Sequence, residues 1–424
     1  MVTQLTTVYT QAYQLAFSLA LQAQNAYQYE LGSQDAFIQF GYWDSQHKGL
    51  AAGESLLFDL RRMEAQYLAE NSRELELTKH ISLALTCPTV LVMLRETGTC
   101  PIALDEALFD YDHPGQYFRR LRSVSLTIPC VTGPYTGVNA TLSLTNAIVR
   151  IQAPGSPYTP QSATVNPPTD PNVVSSPMAA AGTQTIATSS GQNDAGLFDV
   201  NLRDERWLPF EGQGAISTWN LMLDPRDNNF DFSTITDVVL HVRYTARGGG
   251  DQTVANNVRN ALTPTTPRSI LVSVRNTFGN AYYAFFNPVD PTQQTLTLPM
   301  TNALFPFSNF GKGGVIINSI TFFVMLSPTA SSVGISASFN PTGATPTPGS
   351  LQLSTSKPIA ALTAAWAPAP AVPPPPFSVP QSFTMTVSAA NVSSSGLATT
   401  VSGQTQLDPS KIEDILLIIN YSIN

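Results

Sequence analysis

Apolar residues recur every three or four positions from Thr3 to about Arg73: Leu5, Val8, Ala12, Leu15 and Leu19, then Leu56, Leu60, Met63 and Tyr67. That spacing places them on one face of a helix. A single continuous rod over this stretch would be about 100 Å long, too long for an ordinary core helix. Gly32 with Ser33, and later Gly41, instead predict two helices with a break between them, the second starting near Gly53 or Glu54. The second helix carries Arg61, Arg62, Glu64, Glu70, Arg73, Glu74 and Glu76, so one face is solvated or paired with a neighbour. Pro88 is expected to end any continuation of it.

From Ser123 the period falls to two. Val124, Leu126 and Ile128 alternate with Ser123, Ser125 and Thr127; Val238, Leu240, Val242 and Tyr244 alternate with Val239, His241 and Arg243; Ile270, Val272 and Val274 repeat the pattern. These are half-buried strands. Ile316, Phe322, Val324 and Ile415 to Ile419 lie in more continuous apolar runs, as expected of strands covered on both faces. The fold class is therefore α+β: long N-terminal helices followed by a mostly antiparallel, β-sandwich-like domain. A helical segment over 1–77 and a β-rich region over 78–424 are the expected divisions. Two Pro/Ser/Thr-rich insertions, at about 153–188 and 341–380, are too poor in apolar residues to offset ordering and are expected to be flexible.

Composition narrows the function. Charged residues are only 12%, the 33 prolines suit a turn-rich β-protein, and a net charge of -8 does not suit nucleic acid. Between Arg275 and Asp408 the charges are Asp290, Lys312 and Lys357 alone, which fits either a neutral Thr/Ser surface or a face buried between subunits. Cys87, Cys100 and Cys130 lack the spacing of a disulfide framework or a zinc knuckle. The uncharged first 29 residues have no positive leader, and Thr, Gln and Asn interrupt each apolar run, so neither a signal peptide nor a membrane helix is expected.

Chemistry has little foothold. Asp204 and Glu205, with Arg203, Arg206, Trp207 and Glu211, could in principle supply an acid and a base for glycoside hydrolysis. Neighbours on a strand point to opposite faces, however, so a network of Arg and carboxylate pairs fixing a loop is the preferred reading. Gly212 and Gly214 after Glu211 suggest a turn passing close to a neighbour. His47, His80, His113 and His241 are isolated in sequence, with no local metal pair. Arg119, Arg120 and Arg122 are expected to pair with Asp105, Glu106, Asp110 or Asp112 rather than to bind an anion. GKGG at 311–314 lacks the Ser or Thr of a phosphate loop, and no nucleophile elbow is present. No catalytic residue, metal or cofactor is expected.

Four ordered blocks carry a resemblance: YWDSQHKGLAAGESLLFDLRRMEAQYLAENSRELELTKHISL (Tyr42 to Leu83), ALFDYDHPGQYFRRLRSVSLTIPCVTGPYT (Ala107 to Thr136), SSGQNDAGLFDVNLRDERWLPFEGQGAISTW (Ser189 to Trp219) and DVVLHVRYTAR (Asp237 to Arg247). Together they resemble the C-terminal region of the A component (TcA) of Tc insecticidal toxin complexes, densely from Gln11 to Arg247 and more loosely to DILLIINYSI (Asp414 to Ile423). The resemblance implies helices like the upper, returning part of a translocation channel. It also implies a domain that assembles as a five-fold funnel and docks the β-propeller of the B component (TcB), with secretion as a virulence toxin. The shell, receptor-binding modules and channel tip have no counterpart here, so neither a complete pore former nor direct membrane insertion by this chain is implied. Arg203, Asp204, Glu205, Arg206, Trp207 and Glu211 are the candidate partner-binding loop; Leu56, Leu60, Met63 and Tyr67 are the candidate subunit-packing helix. The alternative is a secreted β-sandwich module that binds carbohydrate or a cell-surface ligand.

Overall fold

The computed structural model describes residues 2–43, 49–133, 136–176, 184–188, 197–198, 210–262, 268–290, 292–305, 314–327, 333–341, 350–355, 364–366, 377–393, 396–401 and 403–423. Helices α1 (Val2–Leu31) and α2 (Leu50–Glu70) lie side by side and run parallel, Ala20 beside Leu56, Tyr27 beside Met63 and Glu30 beside Tyr67. Ala20, Tyr27 and Leu31 of α1 meet Leu56 and Met63 of α2, with Ile38 of the connecting segment between them. The buried Gln24 explains a polar residue on this seam: its Oε1 accepts from the Phe37 and Ile38 amides, each at 2.7 Å, and so folds the connection back onto α1. The helix α2 begins at Leu50, a turn before the expected Gly53, because Gly49 enters it at φ 70° and Ala52 is fully buried.

Strands now follow at once. β1 (Leu75–Ser82), β2 (Thr99–Leu104), β3 (Tyr117–Thr127), β4 (Ala140–Arg150), β5 (Val173–Ser175), β6 (Gln184–Thr188), β7 (Leu197–Phe198), β8 (Ile216–Met222) and β9 (Val239–Arg247) build two sheets. Their orders are β1-β9-β3-β7 and β2-β8-β4-β5, with β6 also on β4. Val124, Leu126, Leu240, Val242 and Tyr244 of the first share one core with Leu142, Trp219 and Leu221 of the second. The alternation read from sequence at Ser123 to Ile128 and Val238 to Tyr244 is this inward and outward facing.

A second sandwich follows: β10 (Arg268–Ser273), β11 (Gln293–Met300), β12 (Val315–Leu326), β13 (Val333–Pro341), β14 (Ser350–Thr355), β15 (Ala364–Trp366), β16 (Phe377–Ser378) and β17 (Gln381–Ser388), then the hairpin β18 (Ala398–Val401) and β19 (Gln404–Leu407), and β20 (Ile412–Ile423). Its sheets run β10-β20-β12-β15, with β16 on β12, and β11-β17-β13-β14. The β-rich region thus holds two cores. The second contains Phe285, Leu298, Phe322, Phe383, Leu417 and Ile419.

Short helices α3 (Leu83–Thr86) and α4 (Pro88–Thr97) join the sandwiches. Pro88 does not end α2, which stops at Glu70; it opens α4, because its missing N–H falls at the first helical position, where no intrahelical partner is needed. Val92 of α4 meets Leu416 and Met325 on the outer face of the second sandwich, while Leu417 points into the core. That double burial is why Ile415 to Ile419 read as one continuous apolar run. Among the described residues, no helix is long and apolar enough to cross a membrane.

Candidate partner-docking site

The helix pair meets the first sandwich at a dense polar joint. Glu74, in the link from α2 to β1, lies 3.1 Å from both Arg120 of β3 and Arg247 of β9. Arg247 Nη1 donates at 2.7 Å to the Leu31 carbonyl, which ends α1 with a cation at the negative pole of the helix. Phe118 sits beneath both guanidinium groups, 4.6 Å from Arg120 and 3.9 Å from Arg247. Its φ of 53° is strained for a bulky residue by about 1–2 kcal/mol. The two cation–π contacts and full burial offset that cost. Tyr67 Oη donates to Glu30 at 2.9 Å, so α2 also holds the end of α1.

Beside this joint lies the described end of the candidate loop. The ladder of β3 against β9 is irregular between Tyr117 and Arg120 and between Leu121 and Ser123. The turn at 210–215 fills that irregularity: Leu121 N donates to Gln213, Gly212 N to Leu121, and Ala215 N to Arg119. A Cβ on Gly214 would lie 2.1 Å from the Ile148 carbonyl oxygen, so the close backbone approach expected from the glycines is real, and the neighbour is β4. Tyr29 of α1 reaches across to donate to the Gly212 carbonyl at 2.6 Å and to meet Ser176 Oγ at 2.6 Å. Glu211 pairs with Arg122 at 2.7 Å in an exposed position, with side-chain exposures of 37% and 49%. Arg203, Asp204, Glu205, Arg206 and Trp207 lie outside the described residues.

The sequence-predicted pairing of the arginines holds for one of three. Arg119 meets Asp110 at 2.6 Å and comes within 4.0 Å of Glu106. Arg120 takes Glu74 and Arg122 takes Glu211, partners 46 and 89 residues away that sequence proximity does not suggest. Glu106 is instead gripped by Arg150 at 2.7 and 2.9 Å, and Arg150 also holds Asp170 at 2.7 Å. With Tyr158 on Asp110, this buried network fastens residues 158–170 to the first sandwich. Burial pushes the Asp110 carboxyl above its ordinary value, against the pull of Arg119.

The stripe of Leu56, Leu60, Met63 and Tyr67, expected to pack between subunits, faces the chain's own α1. Leu56 and Met63 are 3% and 8% exposed, and Leu60 and Tyr67 are packed beside them. The large apolar side chains that α1 and α2 leave exposed are different ones: Val8, Leu15 and Leu19 on α1, with Leu50, Leu57, Phe58 and Leu68 on α2. The same 3.6-residue period generates both faces, so spacing alone cannot say which one is covered within the chain.

Two parallel helices with one apolar face covered and another exposed are thus fixed to a β-sandwich by part-buried ion pairs. The model of the Tc toxin complex TcA C-terminal TcB-binding domain matches residues 1–246. The chain belongs to that family, which is non-catalytic. It is 37% identical over 267 residues to toxin subunit YenA2 of Yersinia entomophaga, a match covering 62% of this chain and 19% of that subunit, so the chain spans about a fifth of the curated relative's length. Among solved structures it is similar to Morganella morganii TcdA4, at 25% identity over 57% of this chain and 10% of that one, with a TM-score of 0.38. It is also similar to Yersinia pseudotuberculosis TcaA-TcaB, at 22% identity over 58% and 14% of the two chains, with a TM-score of 0.40.

Proposed function

We propose that this chain is the docking module of a Tc-type toxin: it oligomerises as a homopentamer and seats a TcB-type β-propeller protein above a translocation channel, outside the cell that makes it. The observation that carries this reading is the exposed apolar face of the α1–α2 pair within the family-matched residues. Val8, Leu15, Leu19, Leu57, Phe58 and Leu68 are each more than half exposed. Contiguous apolar surface of this kind is covered by a partner in a working assembly, and parallel copies around an axis would cover it in every subunit. The polar joint then sets the angle between helices and sandwich, and the turn at Glu211 stands on the rim.

Charge reversal tests the placement of the rim. Glu211→Arg breaks an exposed pair worth at most about 1 kcal/mol, so the fold should persist with an unchanged melting temperature. Affinity for a TcB-type protein should fall at least tenfold. Unchanged affinity in both Glu211→Arg and Arg206→Glu would remove this loop from the interface.

A second reading attaches to the sandwich beyond the family match. A cleft of about 390 Å³ there is lined by Asn287, Gln293, Gln404 and Gln406 beside Pro288 and Val289. Neutral amides around small apolar groups suit hydroxyl-rich, uncharged ligands, and soluble glycan binding by a non-oligomeric chain would favour a carbohydrate-binding module.

A further inference from the structure

The histidines that look isolated in sequence are not all isolated in the fold. Register places His80 of β1 directly opposite His241 of β9, 161 residues away. Their Nδ1 atoms are 2.5 Å apart, and the rings stand at 75° with centroids 4.7 Å apart. His241 Nε2 lies 2.7 Å from Thr127 Oγ1 on β3. When Nε2–H donates to that hydroxyl, Nδ1 of His241 presents its lone pair to His80. One ring nitrogen facing its target and the other fixed by an outer partner is how proteins orient metal-binding imidazoles.

We propose that His80 and His241 form a two-imidazole chelate for a borderline divalent transition cation of the zinc type, which takes the place of the proton between the two Nδ1 atoms. Nitrogen-to-zinc bonds of about 2.0–2.1 Å require the two nitrogens to separate to roughly 3 Å. His80 is exposed on an edge strand and is free to make that small rotation. The charged residues on this face of the two strands are Arg243 and Arg247, two and six positions along β9, and Glu76, four along β1. Among the described residues no cluster of three or more His, Cys, Asp or Glu surrounds a common point, so solvent completes the shell and the ion exchanges readily. Hard, oxygen-seeking cations such as Mg²⁺ find no ligand set here. The consequence is mechanical: β1 follows closely on α2, so a bound ion ties the C-terminal end of α2 to the centre of the first sheet.

The test is a Zn²⁺ titration of the tag-free full chain, read by calorimetry and by melting temperature. One Zn²⁺ per chain should bind, and the melting temperature should rise with zinc because only the folded chain holds the two rings together. His80→Ala and His241→Ala should each abolish binding and the zinc-dependent rise. Thr127→Val should weaken binding by about 10–100-fold without changing the stoichiometry. The melting temperature of His80→Ala without zinc checks that the exposed substitution leaves the fold intact. A chain that binds no zinc at 100-fold excess overturns the proposal. So does binding that survives both histidine substitutions, or that is lost in Cys87→Ser or Cys130→Ser instead.

Discussion

At the scale of single residues, the joint depends on one backbone position. Gly32 follows the last residue of α1 with φ 69°, and a Cβ built there would stand 2.5 Å from the Phe118 ring. Phe118 has little room to yield, being buried with Arg120 and Arg247 against it. Gly32→Ala should therefore destabilise the chain by about 2–4 kcal/mol, the left-handed backbone and the clash each contributing about 1–2 kcal/mol. Chemical denaturation measures this, and a loss below 0.5 kcal/mol would show that Phe118 moves aside freely. Sequence shows Gly32 as a helix break but gives no sign that an aromatic ring lies against it. Glu74 is similar: it reads as one more charge on a solvated helix, whereas its partners Arg120 and Arg247 lie 46 and 173 residues on.

At the scale of elements, periodicity carried far. It located both helices, the alternating strands β3, β9 and β10, and the doubly covered β12 and β20. It missed β1, because LELTKHIS follows a charged helix and keeps three charged or titratable residues within one short strand. Strand identity there comes from pairing with β9, a tertiary effect that outweighs local propensity. The insertion after β4 shows the same limit. Its composition predicts flexible chain, yet Arg150, Glu106 and Asp110 hold residues 158–170 from the core side. Burial alone would raise the Asp170 carboxyl, but the Asn172 amide and Arg150 outweigh it and hold it below the ordinary range. A carboxyl depressed in the folded state stabilises above its unfolded pKa of about 3.9, and that contribution disappears as pH falls through the folded value. The protection factors of the amides in residues 158–172, with the intrinsic pH dependence of exchange divided out, should therefore fall on acidification from pH 5 toward 3, and Asp170→Asn should show the low protection already at pH 5. Protection independent of pH and equal in both forms would show that Asp170 does not anchor the segment.

At the scale of the molecule, two sandwiches and a parallel helix pair are joined. The two cores could not be separated in sequence, because β-strand periodicity is alike on either side of α5 (Gln252–Leu262) and nothing in composition marks that helix as a boundary. Membership of the toxin family was legible because the blocks from Tyr42 to Arg247 survive as long ordered strings. The choice of helix face was not, since one stripe is buried within the chain and the other left open. The proposed assembly rests on the open stripe: substituting Leu15, Leu57 and Phe58 together by Ser should leave the helix pair folded, because none of them lines its seam, and should abolish self-association.

The central claim is that this chain forms a ring that receives a B component. Native mass at micromolar concentration, with and without a TcB-type protein, addresses it most directly. The expected result is a species of five chains that gains one B component. A monomer whose mass is unchanged by the B component would contradict it.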